Sequence, residues 1–265
     1  MIMNSKINII VAGILIGTAV AAFAQTGDAA SIVDKSRNRI NADTVSTRSA
    51  MTIKAKNGST TDRVMDQYSK DGPKGAKRTV IVFQSPAAVA GTRFLTMENP
   101  GSADDRRIFL PGLGKVRRMD ASEGSGSFIG TDFSYDDIAS ASRNADLDRH
   151  TLVREESLNG NPCYVIESVP KDSSYQYSKM IQWIDKGNLV NHRIELYDKK
   201  GAHVKTLEIL DLKDIQGRLT PMVTRMSTLA AGTSTTITVD EKYIKYDGNV
   251  PEGVFTNKYL ETGRP

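Results

Sequence analysis

From residue 47 onward the chain reads as one short strand after another, each separated from the next by a turn too tight to hold a helix. In residues 47–56, Met51, Ile53 and Ala55 alternate with Arg48, Thr52, Lys54 and Lys56, the period of a half-buried strand. Asn57-Gly58 follows, a pair suited to a type I′ hairpin turn because both central residues then need positive φ, and 61–68 returns as the partner. Further runs occupy 77–83, 92–97, 106–110, 115–119, 150–158, 163–169, 175–184, 189–197, 204–212, 219–229 and 233–246, with glycine-containing turns such as Asn159-Gly160-Asn161 and Gln216-Gly217 between several of them. Spacing this short favours antiparallel hairpins over β-α-β units. A succession of about ten strands in meander order predicts a mainly β fold, a strongly curved antiparallel sheet or an incomplete barrel. No repeat and no Pro- or Ser-rich linker divides the chain, so residues 25–265 read as one domain.

One face of such a sheet has to be covered, yet helical sequence is scarce. Residues 28–40 form the one convincing helix, with Asp28 as its cap and Ile32, Val33, Ser36 and Ile40 on one face. The other cover is the region 128–140. Several strands are apolar on both faces, among them Thr79-Val80-Ile81-Val82-Phe83 and Arg93-Phe94-Leu95-Thr96-Met97. Met51, Ile53, Val82, Phe94, Leu95 and Met97 are therefore candidate walls of a concave apolar face. Such a face is either a lipid-sized pocket under a thin lid or an ordinary packed core.

The ends and the composition limit the setting. Lys6, the apolar run 7–20 and Ala22-Phe23-Ala24 make a secretory signal peptide cleaved after Ala24, leaving an exported, periplasmic chain of roughly 240 residues. The single Cys163 sits in a strand pattern as a buried, structural thiol and has no partner for an intramolecular disulfide. A net charge of +4 is too small to argue for nucleic acid but suits transient contact with an anionic membrane. His150, His192 and His203 stand singly, without ligand spacing, and no nucleophile elbow is present, so neither a metal, a cofactor nor a catalytic group is expected. Asp132, Asp136 and Asp137 could serve acid–base or calcium chemistry, but capping of a short helix by Asp132 or Ser134 is the simpler reading. Arg106, Arg107, Arg117 and Arg118 are either solvated strand faces or a basic rim for lipid headgroups or an acidic partner.

Ile108-Phe109-Leu110-Pro111, Lys115-Val116-Arg117-Arg118 and above all Gly126-Ser127-Phe128-Ile129-Gly130-Thr131-Asp132-Phe133-Ser134-Tyr135-Asp136-Asp137 resemble the LolA-like family of outer-membrane lipoprotein-sorting proteins, most closely the longer branch associated with RND- or MMPL-type exporters. Residues 85–95 and Trp183-Ile184-Asp185 are similar to that family too. The resemblance implies an unclosed antiparallel barrel with a helical lid over an apolar cavity. It implies a monomeric, non-enzymatic periplasmic carrier that takes acyl chains of a lipoprotein or lipid from an inner-membrane RND/MMPL or ABC-type transporter toward the outer membrane. Phe128, Ile129 and Phe133 are then lid residues. Arg93, set among apolar neighbours, is a candidate latch to the lid, and Arg117 and Arg118 are candidate headgroup or partner contacts. An envelope-stress sensor of the same fold that binds a regulatory protein is the alternative, and an esterase is the reading with least support.

Overall fold

Two hairpin ladders meet in the middle of one 14-stranded antiparallel sheet. The computed structural model describes residues 25–72, 76–99, 104–139 and 144–265, with the backbone alone for 25–28, so the expected signal peptide lies outside the described residues. The first ladder runs outward through β1 (Thr44–Lys54), β2 (Thr60–Asp71), β3 (Lys77–Ser85), β4 (Arg93–Met97), β5 (Asp105–Leu110) and β6 (Lys115–Arg118). The second returns from β7 (Asp148–Leu158) through β8 (Asn161–Pro170), β9 (Lys179–Asp185), β10 (Asn191–Tyr197), β11 (His203–Ile215), β12 (Arg218–Thr228) and β13 (Thr233–Val239), and the short β14 (Lys245–Tyr246) also pairs with β1. The sheet is not closed into a barrel.

A single meander would have placed the two chain ends at opposite edges. Instead β13 pairs with β1, from Ser49 opposite Val239 to Lys54 opposite Ser234, and the edges are β6 and β7. These two strands are consecutive in the chain, and the described part of the connection, residues 119–139, lies across one face of the sheet, with contacts to β5, β13 and β11. That face is called inner below. The connection is long because the topology requires it.

Turn chemistry differs from expectation at one place. Gly58 has φ 86 but Asn57 is not left-handed, and Ala55 N donates to Ser59 O while Ala55 O accepts from Gly58 N, so this turn is longer than two residues. Paired positive φ, the type I′ signature, occurs at Asn159-Gly160 and Gln216-Gly217.

Period-2 alternation sorts the apolar residues onto two faces. Met51, Met65, Ile81, Phe83, Phe94, Ile108, Met180, Leu196 and Met226 form the inner core. Val80, Val82, Leu95 and Phe109 point the other way and are covered by the C-terminal segment through Val250, Val254, Phe255, Tyr259 and Leu260. Its helix α3 (Asn257–Thr262) is capped by Thr256, whose side chain accepts from Tyr259 N, and ends at left-handed Gly263. The N-terminal helix α1 (Gln25–Arg37) ends three residues earlier than the sequence pattern suggests and already includes Asp28, which is therefore not its cap. It packs Ala29 and Val33 on Ile166 and Ile184, and Ser36 Oγ donates to Leu189 O at 2.7 Å. Ile184 and Met180 alternate onto the same side of β9, so α1 shares the inner face with the crossing segment.

The outer cover carries an acid-sensitive clasp. Glu252 accepts hydrogen bonds from Arg78 at 2.7 Å and pairs with Lys70 at 2.6 Å, and these partners pull its carboxyl from 4.5 down to about 2. A depressed folded pKa stabilises above the unfolded value and is lost as pH falls through the folded one. The C-terminal segment should therefore loosen between about pH 4.5 and 2, modestly because the carboxylate is largely exposed. Hydrogen exchange in 250–260 should accelerate over that range, and Glu252→Gln should remove this part of the pH dependence.

Candidate functional site

The crossing segment is short of regular structure and rich in tight turns. After β6, Met119 is buried and Asp120 and Glu123 form a capping box around a 3-10 turn. Gly124 follows, where a Cβ would collide with the Asp136 carboxylate, so glycine is what admits that side chain here. Residues 127–134 then close on themselves: Ser127 bridges Ser134, Phe128 N donates to Phe133 O at 2.8 Å, and Ser127 Oγ donates to Thr131 O at 2.7 Å. The loop drives Phe128 into the inner core, where its side chain is fully buried. Its ring lies 5.7 Å from Phe83, 5.5 Å from Phe94 and 5.4 Å from Tyr135, close enough for edge-to-face contacts beyond simple area burial.

At the bottom of that loop Ile129 adopts φ 50, a left-handed conformation unusual for a β-branched residue. Arg63 on β2 donates to its carbonyl at 2.5 Å, and the guanidinium lies 5.9 Å from the Phe83 ring. Burial pulls the pKa of Arg63 below the ordinary arginine value, which marks a charge short of water and dependent on such acceptors.

The three acids pin the segment to separate strands. Asp132 accepts from both Thr233 and Thr235 hydroxyls on β13, the second at 2.7 Å. Asp136 binds Arg106 of β5 at 2.5 Å. Asp137 accepts from Lys205 of β11 at 2.9 Å and from the Tyr177 hydroxyl at 2.9 Å. Burial and the neighbouring Asp137 charge push the Tyr177 phenol well above its ordinary pKa, so it stays a donor. Asp137 also caps α2 (Tyr135–Ala139) reciprocally with Ser134. Capping by Ser134 is therefore present, whereas Asp132 caps nothing and instead ties the lid to the sheet.

The expected site residues divide by face. Met51, Ile53, Phe94, Phe128, Ile129 and Phe133 come together in the inner cluster. Val82, Leu95 and Met97 do not, because alternation places them under the C-terminal segment. Arg93 stands on that outer face as well: it donates to Leu260 O at 2.8 Å and lies over the Phe109 ring, so it holds α3 and does not reach the lid. The arginines of the supposed rim are paired with acids, Arg107 with Asp105, Arg117 with Glu123 at 2.7 Å and Arg118 with Asp105 at 3.4 Å. Arg63, Phe83, Tyr135, Tyr177 and Lys205 were not singled out. Phe83, as the last apolar residue of a strongly apolar strand, and Tyr135, inside the 126–137 motif, carried a visible signal.

Other chemistry is structural in its surroundings. His150 is buried between Ser168 Oγ at 2.7 Å and Ala145 O at 3.0 Å, and burial lowers its pKa. Cys163 is buried in β8 and burial pushes its thiol pKa up, away from reactivity.

A family model with the description "-like: Uncharacterized protein" matches residues 75–262. No curated protein matches by sequence. Among solved structures, a DUF1329 family protein from Desulfovibrio piger is 28% identical with TM-score 0.84, covering 89% of this chain and 99% of its own. A chain from Vibrio parahaemolyticus assigned as an outer membrane lipoprotein-sorting protein domain is 25% identical with TM-score 0.83, again over 89% and 99%. A LolA superfamily protein from Nitrosomonas europaea shares the fold, at 22% identity and TM-score 0.70 over 87% and 98%. The open antiparallel sheet, the segment crossing its inner face and these matches give one conclusion: the chain belongs to the family that this model describes, and it shares its fold with the lipoprotein-sorting domain and the LolA superfamily protein.

Proposed function

We propose that the chain is an exported, non-enzymatic carrier whose inner apolar face accepts acyl chains of a lipoprotein or lipid when the crossing segment lifts. The observation that carries this reading is Phe128. A fully buried aromatic, brought in by a loop rather than by a strand, occupies the inner face among Phe83, Phe94 and Tyr135. The segment that carries it is tied to the sheet by separate polar contacts, from Arg63, Thr233, Thr235, Arg106, Tyr177 and Lys205, and not by strand pairing. A ring held in this way is a stand-in for a guest. Each buried CH₂ of an acyl chain contributes about 0.8 kcal/mol, so a chain of ordinary lipid length outweighs the side chain it displaces.

Similarity to a lipoprotein-sorting domain supports the same reading. The resemblance of the 126–137 motif also supports a periplasmic location and an inner-membrane transporter of RND/MMPL or ABC type as donor. Mass spectrometry of organic extracts from the protein purified out of periplasm tests the proposal. Stoichiometric lipid, or uptake of a fluorescent fatty-acid probe by the empty protein, is the expected result; absence of both would refute it.

A further inference from the structure

The arginines near β5 and β6 are neutralised by acids, whereas a group of unpaired lysines gathers at one end of the sheet. Lys35, Lys242, Lys245, Lys258 and Arg264 are exposed as well but lie apart from that end. Antiparallel pairing brings together the turns at 55–59, 86–92, 111–114, 171–178, 198–202 and 229–232, along with the start of β7. Contacts between neighbouring turns join them into two runs along the rim at this end of the sheet, 86–92 with 111–114, and 55–59 through 229–232 and 198–202 to 171–178 and the start of β7. A Cβ at Gly232 would sit 3.6 Å from Lys56 Cγ, and one at Gly91 would sit 3.2 Å from Pro111 Cγ. Leu229 N donates to Val204 O at 3.0 Å, Lys199 Nζ to Ser173 O at 2.9 Å, and Lys171 N to Leu147 O at 2.9 Å.

This rim carries Lys54, Lys56, Lys115, Lys171 and Lys200, all exposed and without an ion pair among the described residues. Its acids are Asp62, Asp146, Asp148, Asp172 and Asp198, of which Asp148 is buried and pairs with Arg37. Asp62 accepts from Thr52, while Asp172 and Asp198 accept backbone N–H groups of their own turns. The rim also exposes Leu113 (58%), Leu147 (48%) and Leu229 (47%). They sit at the β5–β6 turn, just before β7, and at the β12–β13 turn, which is one edge, the other edge and the middle of the sheet. Exposed leucines on separate projecting turns, flanked by lysines, match a flat surface that is apolar beneath and anionic on top, which a bilayer is and a folded partner seldom is.

We infer that this rim is a docking surface for an anionic lipid bilayer, with Leu113, Leu147 and Leu229 entering the interface and the lysines facing headgroups. The lid anchors Thr233, Thr235, Lys205 and Tyr177 stand next to the same turns, so a docked rim sets the crossing segment against the membrane. The inference deepens the carrier reading, but its test does not depend on that reading, because vesicle binding and acyl-probe uptake are scored separately on the same sample.

Co-sedimentation of the exported chain with phosphatidylcholine vesicles, with and without roughly one third phosphatidylglycerol, is the experiment. Binding is expected on the anionic vesicles alone and should weaken as salt is raised, since screening shortens the reach of exposed charges. Reversing Lys56, Lys115, Lys171 and Lys200 to Glu should abolish it, at about fivefold or more per lysine. Replacing Leu113, Leu147 and Leu229 with Ser should cost about tenfold or more with the lysines intact. Leu113→Trp should show a blue-shifted emission on vesicle addition. These positions are exposed turns, so the variants should keep the parent circular dichroism. No sedimentation, equal binding to neutral vesicles, or unchanged binding by the charge-reversed variant would overturn the inference.

Discussion

Phe128→Ala is expected to bind a fluorescent fatty-acid probe about tenfold to a hundredfold more tightly than the parent chain. The side chain is fully buried, and truncating a packed phenylalanine typically costs about 3–5 kcal/mol. In this molecule the loss falls on the closed arrangement alone, because an open lid has already withdrawn the ring. The closed form competes with the guest for the same face, and apparent affinity is intrinsic affinity scaled by the fraction of open molecules. Weakening the closed form therefore strengthens binding until the open form dominates. Phe128→Leu, which keeps apolar volume without the ring contacts to Phe83, Phe94 and Tyr135, should fall between the two. Fluorescence titration measures all three. Weaker binding by the alanine variant would place Phe128 in the wall of the occupied site and would contradict its role as a competitor.

Asp137→Ala should be the most damaging single change in the lid. The carboxylate side chain is 4% exposed and accepts from Lys205, Tyr177 and the Ser134 backbone at once. Its removal leaves an ammonium and a phenol without their acceptor in a setting where water reaches them poorly. Breaking a buried pair from one side costs about 3–5 kcal/mol, more than the pair itself contributes. Hydrogen exchange across residues 127–137 should accelerate by at least a hundredfold at about that cost. The double variant Asp137→Ala/Lys205→Met should recover part of the loss, because removing both partners leaves no stranded charge. If exchange in 127–137 is unchanged in Asp137→Ala, Asp137 does not hold the segment.

The strands were legible because their signal is local. Alternation at Met51 and Ile53, and glycine-bearing turns such as Asn159-Gly160, are written within a few residues. Which face is inner was not legible for Phe94 and Leu95. Both faces of β4 are buried, and their separation depends on a C-terminal segment far away in sequence that covers one of them. That cover was itself missed, although Thr256 and Gly263 bracket α3 with recognisable capping residues. Two meanders in place of one could not be told apart locally, since the deciding contact is β1 with β13. The acids of the lid show the same limit. Asp132 looks like a cap from its neighbours, and only the fold brings it to Thr233 and Thr235. Arg63 was hidden for a simple reason: an arginine on a polar strand reads as solvated until a loop is laid over it.

The central claim is that the crossing segment and an acyl chain exclude one another from the inner face. Hydrogen exchange with and without a saturating fatty-acid probe tests it most directly. The account predicts faster exchange in residues 127–137 on binding, with the inner strands β3 and β4 as protected as before. Unchanged protection of 127–137 in the fully bound protein, or protection gained only around the outer residues Val80, Leu95 and Leu260, would contradict it.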